Sequence, residues 1–216
     1  MTVRLHFAIA ALLGLCLCAP IRTAHAVGQT RYILEKRAPG AFPIVQARAA
    51  AAIYVDPADW PGIARAAGDL QADIARVTGV TPTLRHDIKG LGPALIIVGT
   101  IGRSPIIDQL VRQKKIDTAQ VAGKWEAFVI QVVANPLPGV SIALVIAGSD
   151  KRGAIFGIYD VSEQIGVSPW YYWADVPTVH QDALFVKAGR YFEGESAVKY
   201  QGRLGSCHQA VSRYPA

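Results

Sequence analysis

An α/β fold, a mixed β-sheet with helices packed on both faces, is predicted by three features of the sequence. Short apolar runs rich in Ile, Val and Ala stand at residues 50–55 and 94–98, the form of buried strands. Longer stretches, at 60–78 and 149–166 above all, carry apolar residues every third or fourth position, the period of a helix with one packed face. Two further runs, 127–133 and 140–147, lie either side of Asn135-Pro136 like the arms of an antiparallel hairpin. Strands interleaved with helices in this way describe a sheet covered by helices.

Taken in order, the strand at 50–55 is ended by Asp56 and Pro57, and Pro61 suits the first turn of the helix that follows. On that helix Ile63, Ala66, Ala67, Leu70, Ile74 and Val77 form the packing face, while Arg65, Asp69, Asp73 and Arg76 fall on the wet side. Gly79 is placed to end it in a left-handed conformation. A weak strand at 83–85 and a strong one at 94–98 come next. Ser104-Pro105 then opens a second helix running to about Lys114, with Ser104 as its N-cap. In the hairpin, Phe128, Ile130 and Val132 alternate against Val129, Gln131 and Val133. The third helix begins at Ser149-Asp150, carries Ile155, Ile158, Tyr159 and Ile165 on one side, and ends at Gly166. Gly153 and Gly157 each cost that helix about 1 kcal/mol of propensity, so something must approach its backbone closely there, most simply the sheet.

The first 26 residues are set apart from the fold. Arg4 and His6 form a short basic start, 7–18 is uncharged, and Ala24-His25-Ala26 offers the small residues of a cleavage site, so export to the periplasm or the outside is expected, with a cut near Ala26. The apolar run is well short of the roughly 20 residues of a membrane-spanning helix, so no stable membrane anchor is expected. Leu15 and Leu17 precede Cys16 and Cys18 where a lipoprotein signal would need a small residue. The chain carries 22 Lys and Arg against 16 Asp and Glu; Arg4 and Arg22 leave with the leader, and the remaining basic residues are scattered, which does not amount to a nucleic-acid footprint. Only Cys207 remains beyond the leader, so the fold rests on packing without an internal disulfide or a cysteine-rich zinc site.

Chemical motifs are sparse. The loop 99–104 (GTIGRS) lies between a strand and a helix, where amides and the helix dipole could hold a phosphate. It matches neither the dinucleotide fingerprint nor the P-loop, so a tight turn is the better reading and no cofactor is expected. No G-x-S-x-G elbow occurs, and His86 and His180 lack neighbours at ligand spacing. Asp160 and Glu163, the obvious near carboxylates, are three apart on a helix and read as a solvated face. The most unusual stretch is Trp170-Tyr171-Tyr172-Trp173, after Pro169 and before Asp175 and Pro177. Such aromatics either stack on sugar rings or fill an interface between domains, the interface being favoured. Trp170, Tyr172, Trp173 and Asp175 are therefore the candidate contact residues for substrate or a neighbouring domain.

The run from Gly148-Ser149-Asp150-Lys151-Arg152-Gly153 through Tyr159-Asp160 and Ser162-Glu163-Gln164-Ile165-Gly166-Val167-Ser168-Pro169-Trp170 to Asp175-Val176-Pro177 resembles the first domain of glycoside hydrolase family 115. Weaker likeness extends from about Phe42 to Gly202. The resemblance implies an exported α-glucuronidase that removes glucuronic acid or its 4-O-methyl ether from glucuronoxylan by inversion, with an accessory α/β domain ahead of a TIM-like barrel that holds the catalytic carboxylates. It implies an accessory domain at 27–189 and the start of the catalytic domain at 190–216. The tail from Arg203 departs from the family pattern, and the expectation is a disordered end and a chain cut off before its barrel. No catalytic residue is transferred, and the fragment is expected to be inactive alone; the alternative is a stand-alone carbohydrate-binding or partner-docking module. Lys151 and Arg152 sit in the first turn of a helix, against its dipole, a placement that sometimes marks anion recognition. In a full-length relative they could lie near the substrate carboxylate.

Overall fold

The computed structural model describes residues 31–88, 90–171 and 173–195. The expected leader, Tyr172 and the tail from 196 lie outside the described residues. The described residues from Tyr32 onward pack as one unit. Its frame is a six-stranded mixed sheet in the order β10-β7-β8-β6-β4-β5, built from β4 (Ala52–Val55), β5 (Leu84–Arg85), β6 (Ala94–Thr100), β7 (Phe128–Leu137), β8 (Val140–Gly148) and β10 (Arg190–Glu193). Strands β5, β4, β6 and β8 run parallel, and β7 is antiparallel to both its neighbours. A second, antiparallel sheet in the order β1-β9-β2-β3 is made by β1 (Ile33–Leu34), β2 (Phe42–Gln46), β3 (Ala49–Ala50) and β9 (Leu184–Val186).

The period-two pattern of the strands sorts the core into two layers. Ile53, Val55, Ile96, Val98, Phe128, Ile130, Leu144 and Ile146 point to one face, where they meet α1 (Pro61–Thr78), α3 (Lys151–Gln164) and the small sheet through Phe42, Ile44 and Val186. Tyr54, Leu95, Ile97, Val129, Ala143 and Val145 point to the other, against Ile106, Ile107 and Leu110 of α2 (Pro105–Arg112). Helices thus cover both faces, as the sequence predicts.

Local signals hold where backbone geometry demands them. Pro61 opens α1, and Gly79, at φ 71°, closes it by donating to Ala75 O at 2.7 Å. Asp150 caps α3: its Oδ1 accepts from Gly153 N at 2.7 Å and its Oδ2 from Glu126 N at 3.0 Å. Asp150→Ala should therefore cost about 1–2 kcal/mol in urea unfolding, with Asp150→Asn retaining most of it. The glycines of α3 do admit the sheet: a Cβ on Gly153 would lie 2.2 Å from Ala127 O, and one on Gly157 2.9 Å from Ile146 Cγ2.

Several expectations are corrected. The hairpin does not turn at Asn135-Pro136, which forms an irregularity within β7; Pro138 and Gly139, the latter at φ 82°, make the turn. Ser104 occupies the N-cap position of α2, but its buried hydroxyl makes no cap bond, because Ser104 is pressed against the β6 backbone at Gly99. That helix ends at Arg112 rather than Lys114. Asp73 is only 8% exposed; α1 and α3 pack together, and this residue falls between them, paired with Arg76. Burial pushes its carboxyl above the ordinary range. Finally, the sheet continues past the expected limit at Gly189, because Arg190–Glu193 pairs with β7 and Arg190 forms an ion pair with Asp117.

Candidate functional site

The aromatic segment leaves α3 through Gly166, at φ 106°, and folds into consecutive tight turns: Tyr171 N donates to Ser168 O at 2.9 Å and Ala174 N to Trp170 O at 2.8 Å. Its anchor is Tyr171, which the sequence did not single out; the ring packs against the core with the Arg76 guanidinium 4.6 Å from its centroid. Trp170 and Trp173 stand outward, 55% and 60% exposed, and Asp175 is exposed with a left-handed φ of 47°. Val176 and Val179 continue this apolar surface along the chain. Three of the four residues chosen from sequence are thus presented to solvent by one turn system; Tyr172 lies outside the described residues.

A second feature lies at the other end of α3, about 20 Å away along a helix of this length. The parallel strands β4, β6 and β8 end side by side, and the loops that follow enclose an open cleft of about 420 Å³. In parallel sheets the carboxyl ends of strands are where ligands bind. Asp59 ties two of the exits together: its Oδ2 accepts from Thr100 N at 2.7 Å and its Oδ1 from Trp60 N at 2.8 Å. Trp60 forms one wall, with the Arg103 guanidinium 4.1 Å and the Lys151 ammonium 5.8 Å from its ring centre. Arg152 pairs with Glu126 at 2.6 Å, charge against charge without an aligned hydrogen bond.

The loop 99–104 is no phosphate cradle, for its amides are already engaged. Ile101 N donates to Gly148 O, Arg103 N and Ser104 N to Thr100 O, and Gly102 N to Asp108 Oδ1 at 2.7 Å. A carboxylate of the chain itself thus holds the place where an anion would meet the start of α2.

Asp160 and Glu163 do not share a solvated face. Glu163 is exposed, whereas Asp160 is half-buried and accepts from Tyr32 Oη at 2.6 Å, with Tyr32 stacked on Tyr191 at 4.4 Å. Burial pushes the Asp160 carboxyl up to about 6; the Tyr32 hydrogen bond pulls the other way, and the charges of Glu193 and Glu163 raise it further. The cause is structural, a carboxylate joining α3 to the start of the small sheet. His86 turns its ring to Val55 O at 3.1 Å, and His180 lies on the surface beside Asp182. Among the described residues no group of three or more His, Cys, Asp or Glu side chains is placed to hold a metal ion.

No family model matches the sequence, and no curated protein does. Among solved structures the chain is similar to a family 115 4-O-methyl-α-glucuronidase with specificity for decorated arabinogalactans, at 31% identity over 66% of this chain and 17% of that one, with a TM-score of 0.53. A mutant β-hexosaminidase of Streptomyces plicatus, bound to GlcNAc, is 16% identical over 71% of this chain and 23% of its own, with a TM-score of 0.40, too low to carry weight. The chain therefore spans a small part of the enzymes it resembles, and its relation to family 115 is one of structure.

Proposed function

We propose that this domain is the supporting α/β part of an exported α-glucuronidase-like glycoside hydrolase acting on glucuronic-acid-bearing polysaccharide such as glucuronoxylan. The turn carrying Trp170 and Trp173 seats against the part of the enzyme that performs catalysis. The observation that carries this reading is the match to the family 115 enzyme, which occupies 17% of that chain and leaves the rest for the chemistry.

Several of the domain's own buried and half-buried carboxylates support it. Inverting hydrolysis needs an acid and a base on opposite sides of the scissile bond, about 6.5–9.5 Å apart and free to exchange protons. Here Asp56 and Asp59 hold backbone amides, Asp69 accepts from Tyr159, Asp150 caps α3, Asp160 accepts from Tyr32, and Glu126 faces Arg152. Each is spent on the fabric of the fold.

The role of the aromatic turn is tested by titrating the protein with aldouronic acids while following tryptophan fluorescence. No saturable change that depends on Trp170 or Trp173 is expected. Trp170→Ala and Trp173→Ala, at exposed positions, should alter unfolding by no more than about 0.5 kcal/mol. A saturable change lost in these variants would replace the interface with a stand-alone carbohydrate-binding surface.

A further inference from the structure

We infer that the cleft at the carboxyl ends of β4, β6 and β8 binds a small oxyanion, a carboxylate or phosphate group, between Arg103 and Lys151. The two cations come from different elements, Arg103 from the loop after β6 and Lys151 from the first position of α3, and converge on the Trp60 ring. Neither has a carboxylate partner among the described residues. The acids nearby are committed: Asp150, itself in the lining, holds the amides of Gly153 and Glu126, and Glu126 faces Arg152. Stacking on Trp60 fixes the guanidinium plane and leaves its N–H edges available, the arrangement that suits a planar, two-oxygen acceptor. The start of α3, whose Gly153 amide is already held by Asp150, borders the same cleft through Lys151 and Arg152, and its dipole favours negative charge. Independently, Thr100 lines the cleft at 4% exposure with a hydroxyl that has no hydrogen-bond partner among the described residues. A buried hydroxyl of this kind costs stability unless something completes it.

This site is formed by side chains, those of Thr100 and Arg103 in the loop 99–104 among them, and not by that loop's amides, which are occupied; its ligand is an oxyanion held from one side in an open cleft, not a nucleotide. The test is titration of the full chain with sodium phosphate and, separately, with sodium glucuronate, using glucose and sodium chloride at matched ionic strength as controls. Binding is read by amide chemical shifts. Saturable movement at Thr100–Arg103 and Asp150–Arg152 with either oxyanion, absent with both controls, is expected, and the responding arm identifies the source of the oxyanion. The double variant Arg103→Gln, Lys151→Gln should bind about ten-fold more weakly or worse, two charge-assisted contacts being lost. Both positions are exposed, so its melting temperature without ligand should match the wild type. No saturable movement with either oxyanion, equal movement with chloride, or unchanged affinity in a folded double variant would overturn the assignment.

Discussion

Replacing Gly153 by Ala is expected to destabilise the domain by about 3 kcal/mol, although helix propensity alone predicts a gain of about 1 kcal/mol. The added Cβ would lie 2.2 Å from Ala127 O and 3.0 Å from Ala127 C, both backbone atoms that no rotamer change can move. Gly148→Ala should be as damaging, its Cβ falling 2.0 Å from Ala154 N. Either change forces the end of β8 and the first turn of α3 apart, at the edge where the cleft is built. Gly68→Ala in α1 is the internal control, because nothing stands within 4 Å of its Cβ. There the propensity term acts alone, and a gain of about 0.5–1 kcal/mol is expected. Urea unfolding of the three variants checks the opposite signs; equal effects at Gly68 and Gly153 would refute the close approach of α3 to the sheet.

Asp160→Asn should stabilise the protein at pH 7–8 by an amount of order 2 kcal/mol. With its carboxyl pushed up to about 6, the folded state holds a proton that the unfolded chain, near 3.8, releases earlier. The stability this group contributes is therefore complete below about pH 4 and is lost as pH rises through 6. Asparagine removes that titration while keeping an oxygen to accept from Tyr32. Denaturant curves between pH 4 and 8 should show the variant's advantage shrinking toward acid. A variant weakened at pH 7–8, with the deficit shrinking toward acid, would mean that the ionised carboxylate is needed for the Tyr32 contact.

The parts of the fold legible in the sequence were those whose local signal and tertiary role agree. Strands β6 and β8 are continuous apolar runs because both faces are buried, and α1 carries its stripe, its opening proline and its closing glycine together. The small sheet was missed because β1, β3 and β9 are two or three residues long, too short for a period to register. Strand β10 was missed because Arg190–Glu193 is a mostly exposed edge with little apolar alternation. Asp73 and Asp160 were read as wet because period distinguishes the core face of a helix from the rest, not the flank that meets another helix or strand. Trp170 and Trp173 were legible as unusual for their clustering alone. The cleft was not, since Trp60, Arg103 and Lys151 lie more than forty residues apart in sequence and meet only because three parallel strands end in register. The usable signal was positional: each lies within five residues of the end of a strand that finishes at the same edge, at Val55, Thr100 or Gly148.

The placement of the chemistry outside this domain is tested most directly by incubating the purified protein with aldouronic acids and measuring released glucuronate. An acid or base catalyst contributes roughly 10²–10⁴-fold, and loss of the site's geometry removes more, so turnover should be no greater than in a heat-killed control. Release above that control, abolished by replacing one carboxylate among residues 32–195, would contradict a supporting role and place the reacting groups within this fold.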